Sequence, residues 1–266
     1  MLTRSHGLGN DYLVADPAEL PFAITPERVR LLCDRHLGVG SDGLLALDGE
    51  RGLRIYNPDG SEAEKSGNGL RIFARWLHDT RRVADTRFTI ATRGGDAAVH
   101  VEGRQVTVDM GRPVFRDDPR ELDLAGRRYA VVALSIGNPH CVLLRPRLDE
   151  SELRRLGPLV ESHPAFPGRT NVQLARAIDR ATVELLIWER GAGETRASGS
   201  SACAVVAACQ RLDLVDADGE VTARMPGGEL RIRGDSAGRL WMTGPVEVVA
   251  YITLSAELIA RLQALP

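Results

Sequence analysis

Two short stretches hold residue types suited to acid–base chemistry at the start of a helix. The first is Glu189-Arg190-Gly191-Ala192-Gly193-Glu194-Thr195-Arg196-Ala197-Ser198-Gly199-Ser200-Ser201, polar and glycine-rich, running straight into the apolar pattern Val205-Val206-Ala207-Ala208-Cys209. A glycine-rich turn that opens a helix offers unsatisfied backbone N–H groups and the positive end of the helix dipole. It can hold a carboxylate as well as a phosphate. The second stretch, Asp59-Gly60-Ser61-Glu62-Ala63-Glu64-Lys65-Ser66-Gly67-Asn68-Gly69, overlays the first, with Glu62 on Glu194, Ser66 on Ser198 and Gly67 on Gly199. Gly9-Asn10-Asp11 and Gly137-Asn138-Pro139 repeat at nearly the same offset. Two signals about half a chain apart indicate a duplicated module. Two helix N-termini, one from each half, can then face one substrate. Neither turn matches the lysine-containing phosphate loop or the dinucleotide fingerprint after a strand.

The elements that must carry these turns follow from capping and periodicity. Thr25-Pro26 starts a helix that runs to about His36, with Thr25 as cap and Pro26 at the first position. Gly38 to Gly43 is a loop, and Leu44–Leu47 and Leu53–Tyr56 are strands, the second delivering the turn Asn57-Pro58-Asp59-Gly60. Leu70, Phe73, Ala74 and Leu77 give Gly69 to His78 helical spacing. Alternating runs at Phe88–Ile90, Ala97–Val101 and Gln105–Met110 read as hairpin strands. The second half repeats this order: strands at 129–134, 141–144, 171–174 and 182–188, helices at 152–161 and 198–212, then strands at 221–223, 230–232 and 240–242. A last helix spans Ser255 to Leu265. Arg116-Asp117-Asp118-Pro119-Arg120 is linker-like, which divides the chain into 1–115 and 116–251. The class is α+β, in two similar halves rich in antiparallel strands.

The chain has 266 residues, ample for one large or two medium domains. A hydrophobic fraction of 43% and a charged fraction of 26% are ordinary for a globular protein, and a net charge of −2 points to neither nucleic acid nor an anionic membrane. Lys65 is the one lysine. No apolar run approaches the roughly 20 residues of a transmembrane helix, and the N-terminus does not read as a signal peptide. Cys33, Cys141, Cys203 and Cys209 form neither a disulfide framework nor a zinc pattern. A cytoplasmic protein without metal is expected.

The motifs resemble those of diaminopimelate epimerase, a family of cofactor-independent amino-acid epimerases. The resemblance covers nearly the whole chain. It rests on His6–Asp11, Arg35–Gly40, Asn57–Glu62, Gly67-Asn68-Gly69, Gly137–Val142, Glu189–Thr195 and Met242–Pro245, in that order. It implies two pseudo-symmetric halves, each a rolled, mostly antiparallel sheet around a central helix, with substrate between them and residues 252–266 rejoining the first half. The implied activity is interconversion of LL- and meso-diaminopimelate, in lysine and peptidoglycan precursor synthesis, with no cofactor. One group removes the α-proton from one face while a group on the opposite face delivers another. N–H groups near Gly67-Asn68 and Gly199-Ser200 would hold the α-carboxylate as charge develops. Asn10, Asn57, Asn138, Asn171 and Arg190 fall where the family contacts its substrate, and a homodimer is implied. Gly43 lies where some relatives carry Gln, and Ser201 replaces a glycine usual at the helix start.

The chain departs from the family at the two positions that carry its catalytic cysteines, which here are Ser66 and Ser198. A thiol titrates near about 8.5, and lower at a helix N-terminus. A serine hydroxyl needs an adjacent base, and each unfavourable pKa unit costs about 1.4 kcal/mol. The resemblance puts His140 beside the first position and Glu189 beside the second, so Ser66–His140 and Ser198–Glu189 are candidate hydroxyl–base pairs, the alternative being that His140 and Glu189 move the protons themselves, directly or through water. Plainer roles stay open: serine as helix cap, the asparagines as turn residues, Glu189-Arg190 as an ion pair. The alternatives are a related amino-acid isomerase with changed acid/base groups and a Cys-to-Ser form that binds substrate but turns it over poorly. No disulfide can join positions 66 and 198.

Overall fold

Both serine-bearing turns run into 13-residue helices, and each helix is the core of its own half. The computed structural model describes residues Met1–Pro266. In chain order the elements are β1 (Leu2–Gly7), β2 (Asn10–Ala15), α1 (Pro26–Cys33), β3 (Leu44–Asp48), β4 (Gly52–Tyr56), β5 (Glu62–Ala63), α2 (Gly67–Asp79), β6 (Arg87–Ile90), β7 (Ala97–Glu102) and β8 (Gln105–Gly111). They continue with β9 (Val114–Arg116), β10 (Glu121–Leu124), β11 (Arg127–Ala130), β12 (Val132–Ser135), β13 (Pro139–Leu144), α3 (Glu150–Glu161), β14 (Asn171–Asp179), β15 (Thr182–Glu189), β16 (Gly193–Thr195) and α4 (Gly199–Arg211). The remainder is β17 (Glu220–Met225), β18 (Gly228–Gly234), β19 (Leu240–Pro245), β20 (Glu247–Ile252) and α5 (Ala256–Gln263).

The chain forms two compact units: Met1–Val108 with Gly244–Pro266, and Asp109–Thr243. The second crossing thus precedes the residue-252 return expected from the sequence, because β20 is hydrogen-bonded along β1 from Leu2↔Ile252 to His6↔Glu247. The first crossing falls inside β8. The polar stretch read as a linker is structured: β9 pairs with β12, and β10–β11 is a hairpin of its own. The single strand expected at 129–134 is split for the same reason. Tyr129 pairs with Leu122 in that hairpin, whereas Val132–Ser135 pairs with β13.

Within the first unit the strand order is β20-β1-β2-β3-β4-β5. The second unit repeats it as β9-β12-β13-β14-β15, with β16 on the edge of β15 opposite β14. β1–β2 and β12–β13 are hairpins around the Gly-Asn turns. β2·β3 and β13·β14 are parallel pairs, and α1 and α3 make the crossovers a parallel pair requires. Even the link to the following strands repeats: β15 pairs in parallel with β17, and Gly52 makes a parallel bridge to Ala91 just after β6. The α+β class and the duplicated architecture follow directly from this correspondence.

α2 packs against β1, β2, β4 and β7, and α4 against β12 to β15, β17 and β18. Ala202 through Cys209 are all buried, as expected of a helix enclosed by its own sheet rather than lying on a surface. Thr25 caps α1 by accepting from Arg28 N–H, but the helix ends at Cys33, not His36. There the Asp34 carboxylate accepts from the N–H groups of His36 and Leu37 at 2.8 and 2.7 Å, turning the chain into the glycine loop. No helix is long and apolar enough to cross a membrane.

Candidate active site

In the first unit, Ser66 is extended (φ −138°, ψ 122°) and caps α2, its Oγ accepting from Gly69 N–H at 3.1 Å. A chain of side chains fixes the helix start that follows. Arg71 Nη2 donates to Asn68 Oδ1 at 2.8 Å, Asn68 Nδ2 donates to Asn10 Oδ1 at 3.0 Å, and Asn10 Nδ2 donates to Asp42 Oδ2 at 2.9 Å. Arg35 clamps Asp42 and Asp11 together, at 2.7 Å to each, and Arg4 holds the other oxygen of Asp11. Burial pushes the Asp11 carboxyl up, but the hydrogen bonds from Arg35 and then Arg4 outweigh it and leave the pKa lowered. Asn10, Gly67, Asn68 and Ser66 are therefore brought together. Asn57 follows β4 and donates to Ser61 Oγ at 2.9 Å, with no hydrogen bond to that group. Arg71 is fully buried, and a Cβ at Gly7 would lie 2.7 Å from its Nη2, so the β1–β2 turn needs glycine there. A Cβ at Gly43 would lie 2.4 Å from the Tyr56 carbonyl oxygen and 2.7 Å from Tyr12 Cε1, leaving no room for the Gln of some relatives.

In the second unit, Ser198 has nearly the same backbone (φ −147°, ψ 124°) but is buried where Ser66 is half-buried, and its side chain makes no capping bond to α4. His140 Nε2 lies 2.9 Å from Asn138 Oδ1, and Asn138 Nδ2 donates to Ser200 Oγ at 3.5 Å. On the other side of the ring, Gln173 Nε2 lies 3.0 Å from His140 Nδ1 and 3.0 Å from Ser201 Oγ. Strand register puts Gln173 where Leu45 stands in the first unit, and Ser201 falls where Gly69 stands. There a Cβ on Gly69 would lie 3.0 Å from Leu45 Cδ2. The polar pair Gln173–Ser201 thus replaces an apolar one, which accounts for the serine at a position usually held by glycine.

The His140 ring is held from both sides. Both its ring nitrogens are hydrogen-bonded inside its own unit, and burial, which outweighs the Gln173 bond, holds its pKa at about 3. The neutral ring donates from Nε2 to Asn138 and accepts from Gln173 at Nδ1. These bonds tie the ring to Asn138 and, through Gln173, to Ser201 in the first turn of α4.

Glu189 ends β15 and Arg190 follows it, where Asn171 Oδ1 accepts from Arg190 N–H at 3.0 Å and Asn171 Nδ2 donates to the Pro139 carbonyl at 2.9 Å. Buried Glu161 holds the same turn, accepting from Gly191 N–H and Trp188 Nε1, each at 2.7 Å. The repeated acidic residues Glu62 and Glu194 are ion-paired, to Arg54 and Arg93 and to Arg154 respectively. Tyr12, Asp42, Arg71, Glu161 and Gln173 were not singled out from the sequence. Only Gln173, a polar residue inside an apolar strand, carries a signal there.

None of the four cysteines replaces the missing thiols. All are buried, and burial pushes up Cys33, Cys141 and Cys209, the last to about 11. No group of three His, Cys, Asp or Glu comes together to hold a metal ion.

The family described as diaminopimelate epimerase matches residues 2–116 and 132–249. The gap between these spans holds the β10–β11 hairpin. A diaminopimelate epimerase 2 from Nostoc sp. is 43% identical over 276 residues, covering 97% of this chain and 96% of its own. A diaminopimelate epimerase from Desulfitobacterium hafniense is 38% identical over 274 residues, covering 93% and 95%. Among solved structures, a hydroxyproline epimerase from Agrobacterium vitis with bound trans-4-hydroxy-L-proline has a TM-score of 0.70 at 14% identity, covering 94% of this chain and 90% of its own, a likeness of fold alone. On these matches, the chain belongs to the diaminopimelate epimerase family.

Proposed function

We propose that the chain interconverts LL- and meso-diaminopimelate by two-base α-proton transfer without a cofactor. The observation that carries this reading is the pair of helix starts: two buried 13-residue helices, each preceded by an extended serine and opened by glycine. The α-hydrogen of an ammonium carboxylate is a very weak acid, so the reaction needs preorganised donors where charge develops. Backbone N–H groups at Gly67-Asn68 and Gly199-Ser200 supply them, and the network from Arg35 to Asn68 keeps one of these turns rigid. Ser66 and Ser198 handle the proton, with Glu189 as the base for Ser198. Asn10, Asn57, Asn138, Asn171 and Arg190 orient the substrate or the turns that hold it. The protein acts in the cytoplasm, and a second copy covers the edge of β20.

The test is α-hydrogen exchange. LL-diaminopimelate in deuterated water is followed by NMR with the protein as given and with Ser66→Cys/Ser198→Cys. Exchange is expected from both, with the cysteine form faster by several orders of magnitude, since each pKa unit counts about tenfold. Absence of exchange from both would sink the substrate assignment.

A further inference from the structure

The Ser66 hydroxyl has one other side-chain oxygen on it. Tyr12 Oη lies 3.4 Å from Ser66 Oγ, in the same unit, and Tyr12 is only 7% exposed. The separation is long for an O–H···O bond, but catalytic contacts tighten when substrate is bound. Three features set it. Tyr12 is fixed in β2 opposite Ser5. The missing side chain at Gly43 leaves the space that the edge of the Tyr12 ring occupies. The Gly69 N–H holds Ser66 Oγ in place. The second unit has no equivalent. Its counterpart of Tyr12, the third residue after the Gly-Asn turn glycine, is His140, whose ring is held by Asn138 and Gln173.

We propose that Tyr12 is the proton reservoir of Ser66, so that the first unit works as a phenol–serine relay. This rests on the epimerase reading above. When the first unit is the acid, the Ser66 O–H bond breaks and its proton joins the electron pair on the substrate α-carbon, forming C–H. The Tyr12 O–H bond breaks with it, that proton re-forms the Ser66 hydroxyl, and the electron pair stays on the phenol oxygen. Nothing is oxidised or reduced, and solvent water returns a proton to the phenolate. In the opposite direction the ionised phenol accepts from Ser66 as Ser66 takes the α-proton. The chemical reason is that a phenol ionises near about 10, whereas a lone serine hydroxyl needs a partner to act at all. Tyr12 acts through Ser66 and is a positioning and relay residue rather than one that touches substrate.

The experiment compares four proteins: the chain as given, Tyr12→Phe, Ser66→Cys/Ser198→Cys, and all three changes together. α-Hydrogen exchange of LL-diaminopimelate is followed from pH 7 to 10.5, with thermal melting to confirm folding. Removing the phenol oxygen is expected to slow the serine protein about a hundredfold, the scale of one general acid–base group. It should also abolish the part of the pH profile that follows ionisation of the phenol. In the cysteine background the loss should be at least tenfold smaller, because a thiol near about 8.5 carries the proton itself. Equal losses in both backgrounds overturn the relay, as does no loss in the serine protein. A serine protein that is inert beside an active cysteine protein overturns it too. If neither serine nor cysteine protein exchanges the proton, the epimerase reading fails and the relay with it.

Discussion

A histidine kept neutral by burial makes the native state sensitive to pH. His140 sits at about 3 in the fold, mainly because burial penalises the charged ring, against about 6.5 when unfolded. The folded value is the lower one, so the stabilisation is fully present above the unfolded pKa and is lost as pH falls between the two. From pH 7.5 to 5 the loss is about 2 kcal/mol. Urea-unfolding midpoints should fall over that window, and His140→Asn should flatten the slope. An unchanged slope would assign the proton uptake to another group. Ser66, Ser198 and the Gly-Asn turns were legible in the sequence because their types and spacing repeat. Tyr12, Asp42 and Gln173 were not, because what they touch depends on a parallel strand pairing that joins residues about 30 apart, as Val142 joins Gln173.

Capping separates two helices that look alike in sequence. Ser66 Oγ accepts from the Gly69 N–H, while Ser198 makes no side-chain cap bond. Ser66→Ala is therefore expected to cost about 1 kcal/mol of stability, and Ser198→Ala only a few tenths of that. Matched denaturation curves check this, and equal costs would mean that both serines cap. The same logic shows where reading elements from the chain succeeds. Thr25-Pro26 and Ser255 announce their helices through local bonds that each helix start makes for itself, whereas α3 begins at Glu150 behind the Asp149 cap, two residues before the start expected from the sequence. β9 and the β10–β11 hairpin lie in a stretch rich in Arg and Asp, and only their partners make them strands. β20 likewise depends on β1, though its own residues, Val248 to Ile252, suit a strand well.

At the scale of the molecule, β20 is the outer strand of its sheet, and its edge carries exposed Val249 and Tyr251 at 53% and 66%. An exposed, apolar edge strand is a template for pairing with another chain unless it is blunted by charge. If a second copy covers this edge, Val249→Lys should shift the protein to monomer in sedimentation velocity while leaving its melting temperature close to that of the parent. A parent that is already monomeric at micromolar concentration would remove the homodimer from the proposal. The division into halves was readable from the repeated motifs, but the crossing at 243/244 was not, since nothing in the sequence of β20 names β1 as its neighbour.

That return has a consequence for how the chain is made. The second unit is one uninterrupted stretch, whereas the first is split around it. β20 supplies the hydrogen bonds on one side of β1. α5 supplies Leu262 to the core beside α1, and the Arg28 guanidinium binds the Leu262 and Leu265 carbonyl oxygens. On a ribosome, then, the half that begins first is finished last: α2 and its sheet wait, with the β1 edge and the α1 face uncovered, until all of the second unit has been translated.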